Sequence, residues 1–377
     1  MPRRGYHRGV SDAPDIVVVG GGIIGLASAY ALAEAGARVE IIDAKDVGRE
    51  ASWAGGGILS PIHPHGYPAA LADLAERSLA LYPSLCEELE AATGAGVEMR
   101  RSGLLFVAFD DEDDRECAAI AEWRRARGLP TESLTGEAAR AVEPSLAPAV
   151  RSALRLPDVL QVRNPRLLKA LAHACARLGV RIRPHVPAIG FRARGERLEA
   201  VVTAAGDIAT RSAVLAAGSW SGPLARSFGL DLPVAPKKGQ MLLLRDLRPP
   251  LGHIVVSKDQ YLIPRGDGRV LLGSTVEDAG FDKAVTGEAV RFLLARGEAF
   301  CPAVAKAVFE TAWAGLRPGS PDRLPFIGSA PGAEGLVVAT GHFRNGLLLA
   351  PATAEAVRDL LAGRAPSIPL DPFRIDR

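Results

Sequence analysis

Gly20, Gly22 and Gly25 stand at the spacing G-x-G-x-x-G, in the stretch of the chain that carries the clearest chemical pattern. The first glycine permits a tight turn, the second lets backbone amides approach a pyrophosphate, and the third lets the next helix pack closely on its strand. Asp43 follows Gly25 by 18 residues, where a carboxylate can accept hydrogen bonds from ribose hydroxyls. These residue types at this spacing predict a site for an adenine dinucleotide.

The elements around these residues are the ones that such a site requires. An apolar, β-branched run at 16–19 predicts a buried parallel strand, and residues 24–35 predict a helix that ends at Gly36. A second strand at 38–42 leads directly into Asp43. The N-terminus of the helix carries partial positive charge and unpaired N–H groups, which suits a diphosphate. The full order of strand, turn, helix, strand and acid favours a dinucleotide site over a chance glycine turn or a membrane span.

Three further glycine-containing segments could lie beside a cofactor. The three glycines at 55–57 offer nearly bare backbone to a flat ring, although a plain flexible turn has the same composition. A short apolar strand at 213–217 ends in the turn 218–220, which could contact the dinucleotide a second time. The loop 341–346 directly precedes a helix at 347–361, whose positive end would face whatever the loop holds.

The length of 377 residues predicts about two domains. At 239–275 the pattern changes to β-alternation, in QMLLLRD, HIVVS, QYLIP and RVLLGST, which predicts an antiparallel sheet in the second domain. We expect an α/β fold in which a Rossmann-type dinucleotide-binding domain carries an inserted α+β substrate domain built on that antiparallel sheet. The first domain is expected at 14–65, 160–233 and 330–377, and the second at 66–159 and 234–329.

Other helices follow from apolar spacing and capping residues. Regularly spaced leucines predict helix over 69–93, with Pro83 breaking it into two pieces. Asn164 and Pro165 are expected as the cap and the first-turn residue of a helix that closes at Gly179. The acidic run 110–114 is expected to be a solvated turn and helix start rather than a metal site.

Charge and cysteine content limit the classes of function. The 45 basic and 43 acidic side chains nearly cancel, so nothing indicates a surface for nucleic acid or an anionic membrane. Cys86, Cys117, Cys175 and Cys301 lack metal-ligand spacing, so each is expected to be a small buried hydrophobe in a reducing cytoplasm. The basic residues 1–14 have no apolar stretch and are expected to be a frayed tail rather than a secretory signal.

Several segments together resemble the D-amino-acid-oxidase-like flavoproteins. They are GGGIIG, AGSWSG, YLIPR, WAGLRPGSPDRLPFIG, GHFRNGLLLAPATAEAV and the ending FRIDR. Within this family the chain looks most like the bacterial glycine oxidases. The resemblance runs from Asp15 to Arg377, and the GLRPG and GHFRNGLLLAPAT segments are far more specific than the glycine motif.

The resemblance implies FAD, bound non-covalently, with its isoalloxazine between the two domains. The stretch 313–326 has no cysteine, so the thioether link of monomeric sarcosine oxidase is not available there. Mapped by motif, the residues implied to contact FAD are Gly20, Gly22, Ile23, Ile24, Gly25, Asp43, Ala44, Ala51, Ser52, Gly56, Gly57, Ile58, Ala188, His342, Phe343, Arg344, Asn345, Gly346, Leu347 and Leu348.

The resemblance also implies a substrate site, with Arg317 at the carboxylate, Tyr261 as a hydroxyl donor and Arg344 beside the amine. A planar guanidinium can hold a carboxylate with two hydrogen bonds, which fits the role given to Arg317. The implied reaction is the oxidative deamination of glycine, another small amine or a D-amino acid. Hydride passes to flavin N5, the imine is hydrolysed to glyoxylate or a keto acid, and oxygen becomes hydrogen peroxide. The family is associated with thiamine thiazole synthesis, which is therefore the implied pathway.

Several alternatives stay open at this point. Ile58, Val276 and Asp259 stand where glycine oxidases can carry methionine or histidine, so the preference among glycine, sarcosine and small D-amino acids is undecided. An FAD-dependent D-amino-acid dehydrogenase that passes electrons to a quinone or another carrier would use the same pocket. A non-catalytic dinucleotide sensor would not need Arg317, Tyr261 and Arg344 facing a flavin. An NAD-dependent dehydrogenase is disfavoured, because the C-terminal GHFRNG loop and its helix would have no obvious function in such an enzyme. The sequence also leaves open whether the protein is a homo-oligomer.

Overall fold

A computed structural model describes residues 13–61, 63 and 66–377. The predicted frayed tail at 1–14 therefore lies almost wholly outside the described residues. The strands, numbered along the chain, are β1 (Ile16–Val19), β2 (Val39–Ile42), β3 (Ile58–Leu59), β4 (Arg100–Arg101), β5 (Leu104–Ala108), β6 (Glu132–Thr135), β7 (Ser152–Leu156), β8 (Leu160–Gln161), β9 (Arg181–Arg183), β10 (Ala188–Arg194), β11 (Arg197–Thr203), β12 (Ile208–Ala209), β13 (Ala213–Leu215), β14 (Ala235–Arg245), β15 (Ile254–Ser257), β16 (Gln260–Pro264), β17 (Arg269–Gly273), β18 (Val308–Gly319), β19 (Phe326–Ser329) and β20 (Leu336–Thr340). The helices are α1 (Ile23–Glu34), α2 (Ala51–Ala54), α3 (Ala69–Thr93), α4 (Asp111–Arg125), α5 (Gly136–Val142), α6 (Asn164–Arg177), α7 (Ser221–Arg226), α8 (Gly287–Phe300) and α9 (Gly346–Leu361).

A six-stranded sheet carries the glycine motif, in the order β19-β20-β13-β1-β2-β9. All pairs are parallel except β19 with β20. All four residues of β1 are buried, as its apolar run predicts. Helices α1, α3, α6 and α9 contribute to the core on one side, while the β10–β12 sheet contributes to the core on the other. Because β1, β13 and β20 are parallel neighbours, the glycine-containing turns after them meet at one edge.

An eight-stranded sheet has the order β18-β14-β17-β16-β15-β5-β7-β6. Its pairs are antiparallel, as the alternating segments predict, with the exception of β15 and β5. The long pair β14–β18 places Lys237 opposite Arg317 and Met241 opposite Trp313. Together the two sheets confirm the predicted α/β fold class with a separate antiparallel sheet, while the domain bounds stay a prediction.

The expectation that Pro83 would divide a helix is wrong, since α3 is continuous over 25 residues with Pro83 inside it. Tyr82, Cys86 and Leu89 on this helix are buried, and α3 packs against α9. The Tyr82 hydroxyl donates a hydrogen bond to the carbonyl of Leu347. Burial of this face compensates for the one backbone hydrogen bond that a proline removes, and the helix therefore continues.

The expected capping role of Asn164 is also wrong. Helix α6 begins at Asn164 itself, its N-cap is Arg163, and no side chain caps its N-terminus. The amide of Asn164 is used instead in a tertiary contact described below. At the start of α4 the expected helix start is confirmed, because the carboxylate of Asp110 accepts hydrogen bonds from the backbone N–H groups of Glu112 and Asp113. The acidic run is not wholly solvated as expected, since Asp113 is buried and accepts from the N–H of Phe109.

Metal-binding clusters, membrane-spanning helices and cysteines were also considered in the sequence. Within residues 13–61, 63 and 66–377, no group of three or more His, Cys, Asp or Glu side chains could hold a metal ion. No helix of the described chain has the length and apolar content of a bilayer span. The four cysteines are free thiols, and all except Cys117 are buried, as expected of small hydrophobes.

Candidate active site

A cavity of about 510 Å³ lies where the two large sheets approach each other. Its walls include the turns after β1, β13 and β20 on one side and residues of β14, β16 and β18 on the other. Its volume is typical of sites that enclose a small molecule or part of a cofactor. The predicted site residues that line it are Gly20, Gly22, Ile23, Ile24, Asp43, Ala44, Ala51, Ser52, Gly56, Gly57, Ile58, Ala188, Tyr261, Arg317, His342, Phe343, Arg344, Asn345, Gly346 and Leu347.

Gly25 and Leu348 do not line this cavity in the described structure. A methyl group on Gly25 would lie 1.8 Å from the carbonyl oxygen of Gly20, so the third glycine allows α1 to cross directly over the turn. This is the close packing that the motif predicts for its third glycine. Leu348 is 2% exposed and belongs to the core formed by α1, α3, α6 and α9.

The N-terminus of α1 faces the cavity with its backbone N–H groups. Its N-cap is Gly22, which is extended and offers no side chain to these groups. The hydroxyl oxygen of Ser52 accepts a hydrogen bond of 2.9 Å from the N–H of Ile23. The helix dipole and the other N–H groups of the first turn remain available, so this end of the cavity suits a pyrophosphate.

Asp43 lies at the carboxyl end of β2, beside the glycine turn. Its Oδ2 accepts from the N–H of Gly21 at 2.7 Å, and its Oδ1 accepts from the N–H of Lys45 at 2.8 Å. Burial raises the pKa of Asp43, against the lowering effect of these two N–H donors. Each carboxylate oxygen can accept a further bond, so Asp43 is suited to bind ribose hydroxyls in the cavity.

The glycine loop that contains residues 55–57 is held by side chains from three other elements. The amide of Asn164 donates to the carbonyls of Ser52 at 2.8 Å and Gly55 at 2.9 Å. Arg265 donates to the carbonyl of Gly56 at 2.7 Å, and the indole of Trp313 donates to that of Ala54 at 3.0 Å. The loop is therefore a fixed wall of the cavity rather than a flexible turn.

Gly57 shows why this loop needs glycine. Its φ is +77°, and a methyl group there would lie 2.2 Å from the carbonyl oxygen of Val162. Gly56 would place a methyl group 2.7 Å from the side chain of Ile263. No side chain fits between the loop and the strands behind it, so bare backbone faces the cavity.

The glycine motif and Asp43 predict an adenine dinucleotide, and the resemblance to flavoproteins implies that this dinucleotide is FAD. Gly20 and Gly22 present bare backbone to the cavity, and the N-cap residue of α1 offers no side chain to the N–H groups of the first turn. The Oδ1 of Asn164, a buried residue that lines the cavity, has no hydrogen-bond partner in the structure. A methyl group on Gly57 would lie 2.3 Å from this oxygen, so the side chain of Asn164 packs closely against the glycine loop whose bare backbone lines the cavity. The donor set and the space fit FAD.

Arg317 on β18 lines the same cavity and is partly exposed. Its Nη2 donates to the hydroxyl of Ser274 at 2.7 Å, and its Nη1 donates to the carbonyls of Thr275 at 3.1 Å and Lys238 at 3.4 Å. Burial lowers the pKa of Arg317, while Tyr261 raises it. None of the three oxygens that accept these bonds is charged, so the positive charge is available to a bound anion.

Gly239 on β14 makes room for this guanidinium. A methyl group on Gly239 would lie 2.1 to 2.4 Å from the terminal atoms of Arg317, so the guanidinium rests directly on the backbone of β14. The ring of Tyr261 stands beside it, packed near Gly56 and Gly273, and its hydroxyl lies 3.9 Å from the sulfur of Met241. Sequence reasoning missed Gly239 and Ser274, because nothing in the alternating β-pattern distinguishes them.

Arg344 and Asp259 form an ion pair in the cavity wall. The Nη1 of Arg344 donates to Oδ1 of Asp259 at 2.7 Å, and both residues line the cavity with Arg317. Burial acts to raise the pKa of Asp259, but its bond to Arg344 outweighs this and holds the pKa below its ordinary value. The sequence marked Asp259 as a departure from glycine oxidases without placing it beside Arg344.

His342 is a buried, neutral wall of the cavity. It is 2% exposed, and its Nε2 lies 3.1 Å from the hydroxyl oxygen of Thr353. Burial lowers the pKa of His342 to about 3. The imidazole therefore stays uncharged at ordinary pH and is not a proton acceptor there.

Sequence reasoning also missed the supporting roles of Asn164 and Arg265. Asn164 stands before a proline at a helix start, which is the pattern of an ordinary cap. Arg265 ends the YLIPR segment, where the resemblance drew attention to Tyr261 alone. Arg265 is 7% exposed, and burial lowers its pKa to about 10. It also donates to Gln161 and to the carbonyl of Val162, so it joins the glycine loop to the strands beneath it.

Comparison with known proteins agrees with this geometry. The family model described as FAD dependent oxidoreductase matches residues 15–360. The chain is 44% identical to the glycine oxidase of Pseudomonas putida over 95% of this chain and 97% of that protein. It is 35% identical to the bifunctional protein ThiO/ThiG of Synechocystis, over 92% of this chain and 51% of that protein. The crystal structure of glycine oxidase from Geobacillus kaustophilus superposes with a TM-score of 0.92 at 34% identity, covering 97% and 98% of the two chains.

Proposed function

This chain belongs to the family of FAD-dependent oxidoreductases, and from that premise we propose that it catalyses the oxidative deamination of glycine and other small amines or D-amino acids. The enzyme is an FAD-dependent amino acid oxidase of the glycine oxidase kind, so the proposal concerns its substrate and its electron acceptor. The observation that carries it is the position of Arg317 in the cavity that the dinucleotide motif also lines. FAD, when bound, supplies the acceptor for the hydride of the α carbon and the route by which oxygen is reduced to hydrogen peroxide.

Arg317 is the proposed binding group for the substrate carboxylate. Its guanidinium is fixed by the hydroxyl of Ser274 and the backbone carbonyls of Thr275 and Lys238. These three oxygens are uncharged, so none of them neutralises the guanidinium. A planar guanidinium that is already held in place can form two parallel bonds to a carboxylate with little loss of side-chain freedom. Such a bond fixes one end of an amino acid and leaves only its α carbon and amine to be oriented.

The walls beside Arg317 favour a small substrate. The ring of Tyr261 fills the space near Gly56 and Gly273, and Met241 lies against its hydroxyl. A hydroxyl at this position can add one hydrogen bond to the same carboxylate. Glycine and its N-methyl derivative need no room for a side chain, so they suit this wall better than long amino acids do.

Proton transfer places a further demand on the site. Loss of hydride from the α carbon leaves positive charge at the nitrogen, so the amine has to be uncharged beforehand. His342 cannot accept this proton near neutral pH, because burial lowers its pKa to about 3. We propose that the amine loses its proton to water and that the residues of the cavity only bind and orient the substrate. Water then hydrolyses the product imine to glyoxylate or a keto acid and ammonia.

The pathway is also a proposal. The resemblance stated above implies that the glycine-derived imine serves the thiazole of thiamine. Similarity to a bifunctional ThiO/ThiG protein, whose length the chain covers by about half, supports this placement.

The test is the visible spectrum of the FAD-loaded protein with anaerobic glycine, followed by air. Bleaching of the flavin band by glycine, then recovery with peroxide, is the expected result. In Arg317→Met we expect kcat/KM for glycine to fall roughly 10- to 150-fold, the equivalent of losing a hydrogen-bonded charge worth about 1.5–3 kcal/mol, with FAD still bound. Arg269→Met is the matched control, since Arg269 pairs with Glu310 and does not line the cavity.

Two results would change the proposal. Unchanged kinetics in Arg317→Met would remove this residue from the carboxylate site. A flavin that bleaches with D-alanine or D-proline but recovers only with a dye or quinone would identify a dehydrogenase instead of an oxidase.

A further inference from the structure

The ion pair of Arg344 and Asp259 places a carboxylate in the wall of the proposed substrate site. Asp259 lies in the turn between β15 and β16, two residues before Tyr261, and its side chain is 54% exposed against 29% for Arg344. The preceding residue, Lys258, has a φ of +53°, and its carbonyl oxygen lies 3.0 Å from the Nε2 of His63. This contact joins the turn to His63, and Asp259, the next residue of the turn, lines the cavity.

The charged groups of this wall act on one another. Burial works to raise the pKa of Asp259, but Arg344 first, then His63 and Arg317, lower it, so the carboxylate is ionised at neutral pH. Arg344 and Asp259 in turn shift the pKa of Arg317 in opposite directions, which indicates that the three side chains are electrostatic neighbours. Two guanidinium groups and one carboxylate leave one net positive charge. This charge matches a substrate with a single carboxylate.

We propose that Asp259 is a specificity-determining residue that restricts the site to substrates with one carboxylate. The inference rests on the proposed function, in which Arg317 holds the carboxylate and Arg344 lies beside the amine. A dicarboxylate such as iminodiacetate carries its second carboxylate on the amine substituent, which brings that group towards Arg344. Asp259 already accepts a hydrogen bond from this guanidinium, and its negative charge repels the second carboxylate of the substrate.

The exposure of the pair explains why the role is selectivity rather than stability. Ion pairs at exposed positions contribute little to folding, so Asp259 can be neutralised without loss of the fold. A second carboxylate that displaced Asp259 from Arg344 would leave the Asp259 carboxylate unpaired beside a like charge. The discrimination therefore comes from repulsion as well as from the occupied donor.

The experiment measures binding rather than turnover, using the FAD-loaded protein. The probes are diglycolate and methoxyacetate, the ether analogues of iminodiacetate and sarcosine, which have no amine to be oxidised. Calorimetry gives the ratio of their dissociation constants for the natural protein and for Asp259→Asn. In the variant we expect the ratio to shift at least tenfold towards diglycolate, because one charge-assisted hydrogen bond becomes available.

Two further variants make the test specific. In Asp259→Asn combined with Arg344→Gln, the gain for diglycolate should disappear, since the freed guanidinium is removed. Asp376→Asn is the matched charge control, because Asp376 pairs with exposed Arg374 and does not line the cavity. Its ratio should equal that of the natural protein.

An unchanged ratio in Asp259→Asn, a gain that survives Arg344→Gln, or an equal gain in Asp376→Asn would overturn the inference. These outcomes leave the proposed function intact as long as methoxyacetate binds to the natural protein. If the natural protein binds neither probe, the carboxylate site fails, and the proposed function and the inference fall together.

Discussion

Replacing His342 with glutamine should remove part of the acid sensitivity of folding. In the folded protein His342 is 2% exposed and burial lowers its pKa to about 3, whereas a histidine in the unfolded chain titrates near about 6.5. Between these two pKa values, the imidazole of His342 is therefore protonated in the unfolded state and neutral in the folded state. Stability supplied by this difference is complete above the unfolded pKa and is lost progressively as the pH falls below it.

The magnitude follows from these two pKa values. Between pH 7.5 and pH 5.5, protonation of the unfolded chain at this single site favours unfolding about tenfold, which lowers the free energy of unfolding by about 1.4 kcal/mol. A folded pKa anywhere below about 5 gives nearly the same difference, so the result tests whether the folded imidazole stays neutral. The glutamine variant has no such proton to bind.

The assay is urea denaturation at pH 7.5 and pH 5.5, with one fixed FAD concentration throughout, because ligand binding also shifts apparent stability. We expect the natural protein to lose about 1.4 kcal/mol more than His342→Gln across this interval. His173→Gln, at an exposed position on α6, controls for the exchange itself. Equal pH dependence in the natural protein and His342→Gln would mean that the folded imidazole takes up a proton, and the reasoning from burial would be refuted.

Two predictions concern the support of the cofactor site. Gly25→Ala places a methyl group 1.8 Å from a backbone oxygen, so we expect a loss of about 3 kcal/mol in unfolding free energy together with weaker FAD binding. Gly328→Ala, which meets no atom within 4 Å, is its control, and equal stability of the two variants would contradict the packing argument. Arg265→Met leaves the carbonyl of the glycine loop unpaired, so FAD titration should show at least tenfold weaker binding, whereas Arg269→Met should bind FAD normally. Similar FAD affinity in both arginine variants would show that the loop does not need Arg265.

The dinucleotide half of the site was predictable because its signals are local. The spacing of Gly20, Gly22 and Gly25, the apolar strand before them and Asp43 after them all lie within one short stretch. Each follows from a backbone requirement or from hydrogen bonding that holds wherever such a unit forms. The structure accordingly places Asp43 beside the turn and the N-terminus of α1 against the cavity.

The hydrogen bonds that hold the glycine loop were not predictable, because the residues that form them are far from the loop in sequence. Asn164 reaches residues 52 and 55, Arg265 reaches residue 56, and Trp313 reaches residue 54. In the sequence Asn164 has the pattern of a helix cap, and the contact that takes its amide exists only when α6 and the loop are packed together. The continuity of α3 through Pro83 has the same origin, since packing against α9 outweighs a local preference.

The amino-acid sequence was enough to predict the fold class, the dinucleotide motif and, through a resemblance of whole segments, a substrate-binding role for Tyr261, Arg317 and Arg344. These predictions depend on local backbone geometry and on segment patterns, both of which are present in the sequence before the chain folds. Three features required the folded structure: Gly239 makes room for the guanidinium of Arg317, Asp259 pairs with Arg344, and His342 is buried. Charge, burial and close contact arise between strands and loops that meet only when the chain is folded, so the electrostatics of the pocket belong to the fold and not to any segment of it.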